Sequence, residues 1–194
     1  VRIGLDLDNT VIDYDAAFCA AAVRHGAMPP GASLGKTAIR ARIRALPDGE
    51  RRWMQVQADV YGAGIADARL FPGVAAFIAA ARERAIALAI VSHKTEVAAA
   101  APDGPNLRDC ARAFLAASGI DVPVYFEATR AAKCERIAHL GLTHAIDDLV
   151  EVFADAAFPA GVRRWLFAPH GAVAHASVDR AFASWDELRL ALDA

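Results

Sequence analysis

Lysine is nearly absent from this chain: of 21 cationic side chains only Lys36, Lys94 and Lys133 are lysines. That excludes a polybasic lysine patch, and a net charge of −2 leaves no extended basic face for nucleic acid or an anionic membrane. Cysteine is as sparse. Cys19, Cys110 and Cys134 are odd in number and widely spaced, which fits neither a disulfide framework nor the paired spacing of a zinc site. No uncharged apolar stretch reaches the length needed to cross a bilayer. With Val1 leading straight into a strand-like run, these absences lead to the expectation of a cytoplasmic protein whose partner is a small molecule.

What is present is apolar material, 56% of 194 residues, enough for one well-buried core with a small appended subdomain. Short β-type runs occur at residues 2–8, 86–91, 122–126, 144–146 and 163–167. Helical patterns separate the later ones. Val74, Phe77, Ile78 and Ala81 form an i, i+3, i+4, i+7 stripe, and 106–117 and 129–140 are similarly amphipathic. Strands alternating with helices predict an α/β fold on a parallel, Rossmann-like sheet. Gly119 and Gly141 stand where helices should stop, and Ser184 with Glu187 forms a capping box for a last helix. Between the first two strands, 15–70 reads as helical, broken at Pro29-Pro30-Gly31 and Pro47-Asp48-Gly49, and Pro72-Gly73 marks the return. The predicted organisation is a core of 1–14 and 71–194 with a helical subdomain at 15–70.

In an open parallel sheet, ligands sit outside the carboxyl ends of the strands, so the residues found there form one set. The first strand delivers Asp6, Asp8, Asn9 and Thr10; the second Ser92, His93 and Lys94; the fourth Asp147 and Asp148; and Lys133 opens the helix after the third. Two carboxylates crowded together repel, and a hard cation such as Mg²⁺ relieves that with one or two carboxylates, waters and phosphate oxygens. A carboxylate can also act as a nucleophile toward phosphorus when the phosphate charge is neutralised, leaving a second acid to protonate the leaving oxygen and activate water.

The string Asp6-Leu7-Asp8-Asn9-Thr10-Val11 resembles the first motif of the haloacid dehalogenase (HAD) superfamily. Ser92, Lys133 and Ile146-Asp147-Asp148 resemble its second, third and fourth motifs in order. The resemblance implies strand order 5-4-1-2-3 and a C1-type helical cap at 15–70. It also implies Asp6 as nucleophile and Asp8 as acid/base and, through its backbone carbonyl, metal ligand. Ser92 and Lys133 would hold phosphate with His93 beside them. Asp148 would be the direct Mg²⁺ ligand with Asp147 supporting. Lys94, adjacent to Ser92, is a rival to Lys133 for the phosphate. Glu151 follows too soon after Asp148 for a metal role.

The implied activity is Mg²⁺-dependent hydrolysis of a small phosphorylated metabolite through a phospho-aspartate, with specificity expected from cap residues such as Tyr14, Lys36, Arg40, Trp53 and Tyr61. Phosphoryl transfer to a second substrate, as in mutases, and a binding protein that kept the fold without catalysis are the competing readings. Gly31–Thr37 imitates a phosphate-binding loop but is one residue short, has Pro30 where its first glycine should stand and follows no strand, so it reads as the start of a helix. His139 and His144 lack the neighbouring ligands of a zinc site.

Overall fold

Ile3 and Leu5 are each 1% exposed on one face and Gly4 between them is buried on the other, so their segment is the strand around which the others assemble. The computed structural model describes residues 1–171 and 174–193. Its strands are β1 (Arg2–Leu5), β2 (Ile12–Asp13), β3 (Arg69–Leu70), β4 (Ala87–His93), β5 (Val124–Glu127), β6 (His144–Asp147), β7 (Arg163–Phe167) and β8 (Arg180–Phe182). Its α-helices are α1 (Asp15–Arg24), α2 (Lys36–Arg44), α3 (Gly49–Tyr61), α4 (Val74–Glu83), α5 (Leu107–Ala117), α6 (Arg130–His139), α7 (Val150–Phe153) and α8 (Trp185–Leu190). The chain divides into two compact units: Val1–Ile12, Leu70–Lys94 and Ile120–Ala194 in one, Asp13–Arg69 and Thr95–Gly119 in the other.

The first unit is built on a sheet of order β5-β4-β1-β6-β7-β8 whose pairings are parallel. Five of these strands stand in the predicted order. The sixth, β8, pairs Trp165↔Arg180 through Phe167↔Phe182 at the edge beyond β7. Three residues of which only Phe182 is buried carry no apolar run, which is why β8 was not foreseen. Successive strand residues face opposite sides of the sheet. Ala89, Val91, Ala145 and Leu166 therefore pack in one cluster with Cys134 and Ile137 of α6. In another, Phe77 of α4 meets Trp185 of α8 at 5.0 Å and Trp185 meets Phe167 at 5.7 Å.

The capping box predicted at Ser184 forms, and Gly119 and Gly141 take positive φ just past α5 and α6; the caps of α5 and α6 were not foreseen. Asn106 caps α5 by accepting from the amides of Arg108 and Asp109, Thr129 caps α6 through Ala132, and Ser184 caps α8 through Glu187. In the second unit α1, α2 and α3 pack around Phe18, whose ring stacks on Trp53 at 5.2 Å and meets Tyr61 edge-on. Gly31–Thr37 leads into α2, as expected of a helix start. This unit differs from 15–70 by also containing 95–119: α5 packs on the 3-10 turn Ala63–Asp67 and on α3, and Leu107 donates to the Glu96 carbonyl at 2.7 Å. Amphipathic spacing locates a buried face on α5 without saying which apolar surface covers it.

Candidate active site

The chain turns sharply as it leaves β1. The amides of Val11 and Ile12 both donate to the Leu7 carbonyl, at 3.0 and 2.9 Å, and the Asn9 amide donates to Ile12 at 2.9 Å. The turn requires a left-handed residue at Asn9, φ 64°, a conformation asparagine tolerates better than most side chains. Thr10 at its tip is fully buried and its carbonyl accepts from the Trp185 indole at 3.0 Å. Asp6, whose amide donates to Ile146 of β6, and Asp8 are thus held on a rigid loop beside the end of β6.

The predicted acids and lysines meet there. Lys133 Nζ lies 2.5 Å from Asp6 Oδ1 and 2.6 Å from Asp147 Oδ2, with the lysine and Asp147 both under 5% exposed. The other Asp147 oxygen accepts from the Leu149 amide at 3.0 Å. Both oxygens of Asp147 are therefore engaged by this chain, and half-buried Asp148 accepts from Thr10 Oγ1 at 3.5 Å. Lys94 Nζ lies 2.7 and 3.0 Å from the two oxygens of Asp8. Ser92, 1% exposed, stands near the end of β4 opposite Phe126. The exposed His93 turns its ring to the Ala128 carbonyl, 3.0 Å away, instead of toward the carboxylates.

Charge decides what this cluster can hold. Burial pushes the Asp6 carboxyl up to about 7 against the pull of Lys133, with Asp147 and Asp8 adding repulsion. Burial works the other way on Lys133, but Asp147 and Asp6 outweigh it and its pKa is raised. Lys94 lies against Asp8, while Lys133 bridges Asp6 and Asp147, so the three clustered acids Asp6, Asp147 and Asp148 outnumber the lysine that joins two of them. Asp6, Asp147 and Asp148 each offer an oxygen within 4.8 Å of the others. An all-oxygen set of this kind suits a hard divalent cation.

Some contacts were not legible in advance. The Lys94–Asp8 pair joins residues 86 apart in sequence. The Trp185–Thr10 bond spans 175 residues, and nothing around Trp185 signals it. The closeness of Lys94 to Ser92 was the one available hint for the first.

The parallel sheet and its order define this as a HAD-like α/β fold. The chain is similar to a HAD family hydrolase from Deinococcus radiodurans R1 with bound phosphate and sodium, at 17% identity and TM-score 0.64 over 98% of this chain and 94% of that one. It is also similar to Protein Tyrosine Kinase A of Mycobacterium tuberculosis, at 21% and 0.64 over 100% and 98%. To the magnesium-bound HAD-hydrolase YfnB of Bacillus subtilis the figures are 13% and 0.61 over 100% and 98%. No protein-family model and no curated protein matches the sequence. Among the described residues no helix is long and apolar enough to cross a membrane.

Proposed function

We propose that the protein is a Mg²⁺-dependent phosphatase that hydrolyses a small phosphate monoester through a phospho-aspartate on Asp6. The observation that carries this reading is Lys133 wedged between Asp6 and Asp147 beside Asp148, with a second acid, Asp8, two residues from the first. The fold is shared with hydrolases that bind phosphate or magnesium, and fold alone licenses no activity; the site residues do.

Asp6, Asp148 and the Asp8 carbonyl would hold the metal, which supplies charge neutralisation for the phosphoryl oxygens. An Asp6 oxygen attacks phosphorus and the bond to the leaving oxygen breaks, while Asp8 gives that oxygen a proton. Asp8 then takes a proton from the water that attacks the acyl phosphate, and inorganic phosphate leaves with Asp6 restored. The Lys133 ammonium, with the Ser92 hydroxyl, offsets the negative charge that builds on the phosphoryl group. Asp147, fixed by Leu149, holds Lys133 against Asp6. The helical unit, where Lys36 donates to the Tyr61 hydroxyl at 3.1 Å and lies 5.2 Å from the Phe18 ring centroid, is the part we assign to substrate selection.

The test is phosphate release from a panel of phosphorylated metabolites with Mg²⁺ or EDTA. Metal-dependent turnover abolished by Asp6→Asn is the expected result. Absence of turnover across the panel refutes the phosphatase reading, and phosphate passed to an added acceptor points to a transferase.

A further inference from the structure

The two buried lysines serve different carboxylates, and this separates their roles. Lys133 touches the proposed nucleophile. Lys94 meets both oxygens of Asp8, at 2.7 and 3.0 Å, with its side chain 3% exposed while that of Asp8 is 21% exposed. Lys94 is itself held: its amide donates to the Glu127 carbonyl at 3.0 Å, extending the β4–β5 pairing one residue past His93↔Glu127. The β1–β4 pairing ends at Leu5↔Ile90, and Asp8 and Lys94 stand three and four residues beyond it, on the two segments that leave the same end of the sheet.

We infer that Lys94 is a positioning residue that holds the Asp8 carboxyl group, protonated for this step, in the orientation needed to hand its proton to the leaving oxygen, and that it does not hold the phosphate. The inference rests on the phosphatase reading above. A carboxylate turns freely about two side-chain bonds, and an ammonium spanning both oxygens removes that freedom. The proton-transfer geometry is then set before substrate arrives. In the steps up to leaving-group departure, a lysine acting in this way matters only when the leaving oxygen needs a proton.

The test compares kcat/KM for p-nitrophenyl phosphate, whose leaving group departs unprotonated, with that for glycerol 2-phosphate, whose alkoxide does not. This parameter reports the steps up to leaving-group departure. Lys94→Met, with Lys94→Gln as a second neutral replacement should the first not fold, is expected to lose at least about tenfold more on the alkyl ester than on the aryl ester, within the roughly 10²–10⁴-fold worth of a general acid. Inhibition by inorganic phosphate keeps its wild-type constant, and Lys94→Arg recovers part of the alkyl-ester rate. In an Asp8→Asn background Lys94→Met adds less than about threefold, because the two act as one unit.

Equal losses on both esters with weakened phosphate inhibition overturn the inference and make Lys94 a phosphate ligand. Wild-type turnover separates the two levels. No turnover of either ester defeats the phosphatase reading and this inference with it, whereas wild-type turnover with a uniform loss defeats the positioning role alone.

Discussion

Replacing Lys133 with methionine keeps most of the side-chain volume and removes the one ammonium that touches both Asp6 and Asp147. Its contacts are 2.5 and 2.6 Å, and the Asp6 and Asp147 side chains are 9% and 3% exposed. At an effective dielectric of about 20, Coulomb attraction at that separation is roughly 6 kcal/mol per contact. Desolvating three charges takes back several kcal/mol per ion, so the pair's net worth is small, but removing one partner strands two buried carboxylates. Such a break costs about 3–5 kcal/mol.

Urea unfolding in EDTA should register this as a midpoint lowered by at least about 1 M, for a denaturant slope of about 1–3 kcal/mol/M. The cost should be smaller at pH 5 than at pH 8. Lys133 holds down an Asp6 pKa that burial has pushed to about 7, so without the lysine Asp6 takes up a proton more readily and sheds the uncompensated charge. Adding Asp147→Asn to Lys133→Met should restore part of the loss. A loss under about 1 kcal/mol in EDTA at pH 8 refutes the claim that this lysine neutralises the carboxylates in the folded state.

In wild-type protein freed of metal, the folded Asp6 pKa stands above its ordinary 3.8, so its contribution to stability is complete below about 4 and is lost as pH rises through about 7. Unfolding in EDTA should show stability falling from pH 5 to 8, and Asp6→Asn should flatten that slope. Saturating Mg²⁺ should stabilise the wild type at pH 8, by about 2.7 kcal/mol at a hundred times its dissociation constant, and do so far less in Asp148→Asn. Trp185→Phe leaves the buried Thr10 carbonyl without its indole donor and should cost about 1–3 kcal/mol, with a fall in phosphatase rate as the Asp8 loop loosens. At Asn9, with φ 64°, Asn9→Val should cost about 1–3 kcal/mol and Asn9→Gly much less, a ranking that thermal unfolding can check.

The central strands were legible because they are buried on both faces and write their burial as apolar runs, and the start of α8 because the short Ser184 side chain can reach an orphan amide. Strand ends were less so. The apolar run stops at Val91, yet β4 continues through Ser92 to His93, because pairing with Phe126 and Glu127 is a backbone matter to which side-chain hydropathy is indifferent. The membership of α5 was hidden for a related reason: Leu107, Ala111 and Leu115 mark a buried face, and only the tertiary structure supplies its cover.

The acids of the site could be read from position, since each stands at or just past the end of a central strand, where the fold leaves a cleft. Their partners could not. Residue order places Lys94 beside Ser92 and Lys133 in the first turn of α6, and either could reach toward the phosphate on that evidence. What separates them is the tertiary structure: Lys94, just past β4, meets Asp8, while Lys133 of α6 meets Asp6 and Asp147. One consequence is electrostatic: Lys94 stands against Asp8, while Lys133 bridges Asp6 and Asp147 with Asp148 within reach of both. On the function proposed above, that places the cation site beside Asp6 and gives Asp8 a lysine of its own.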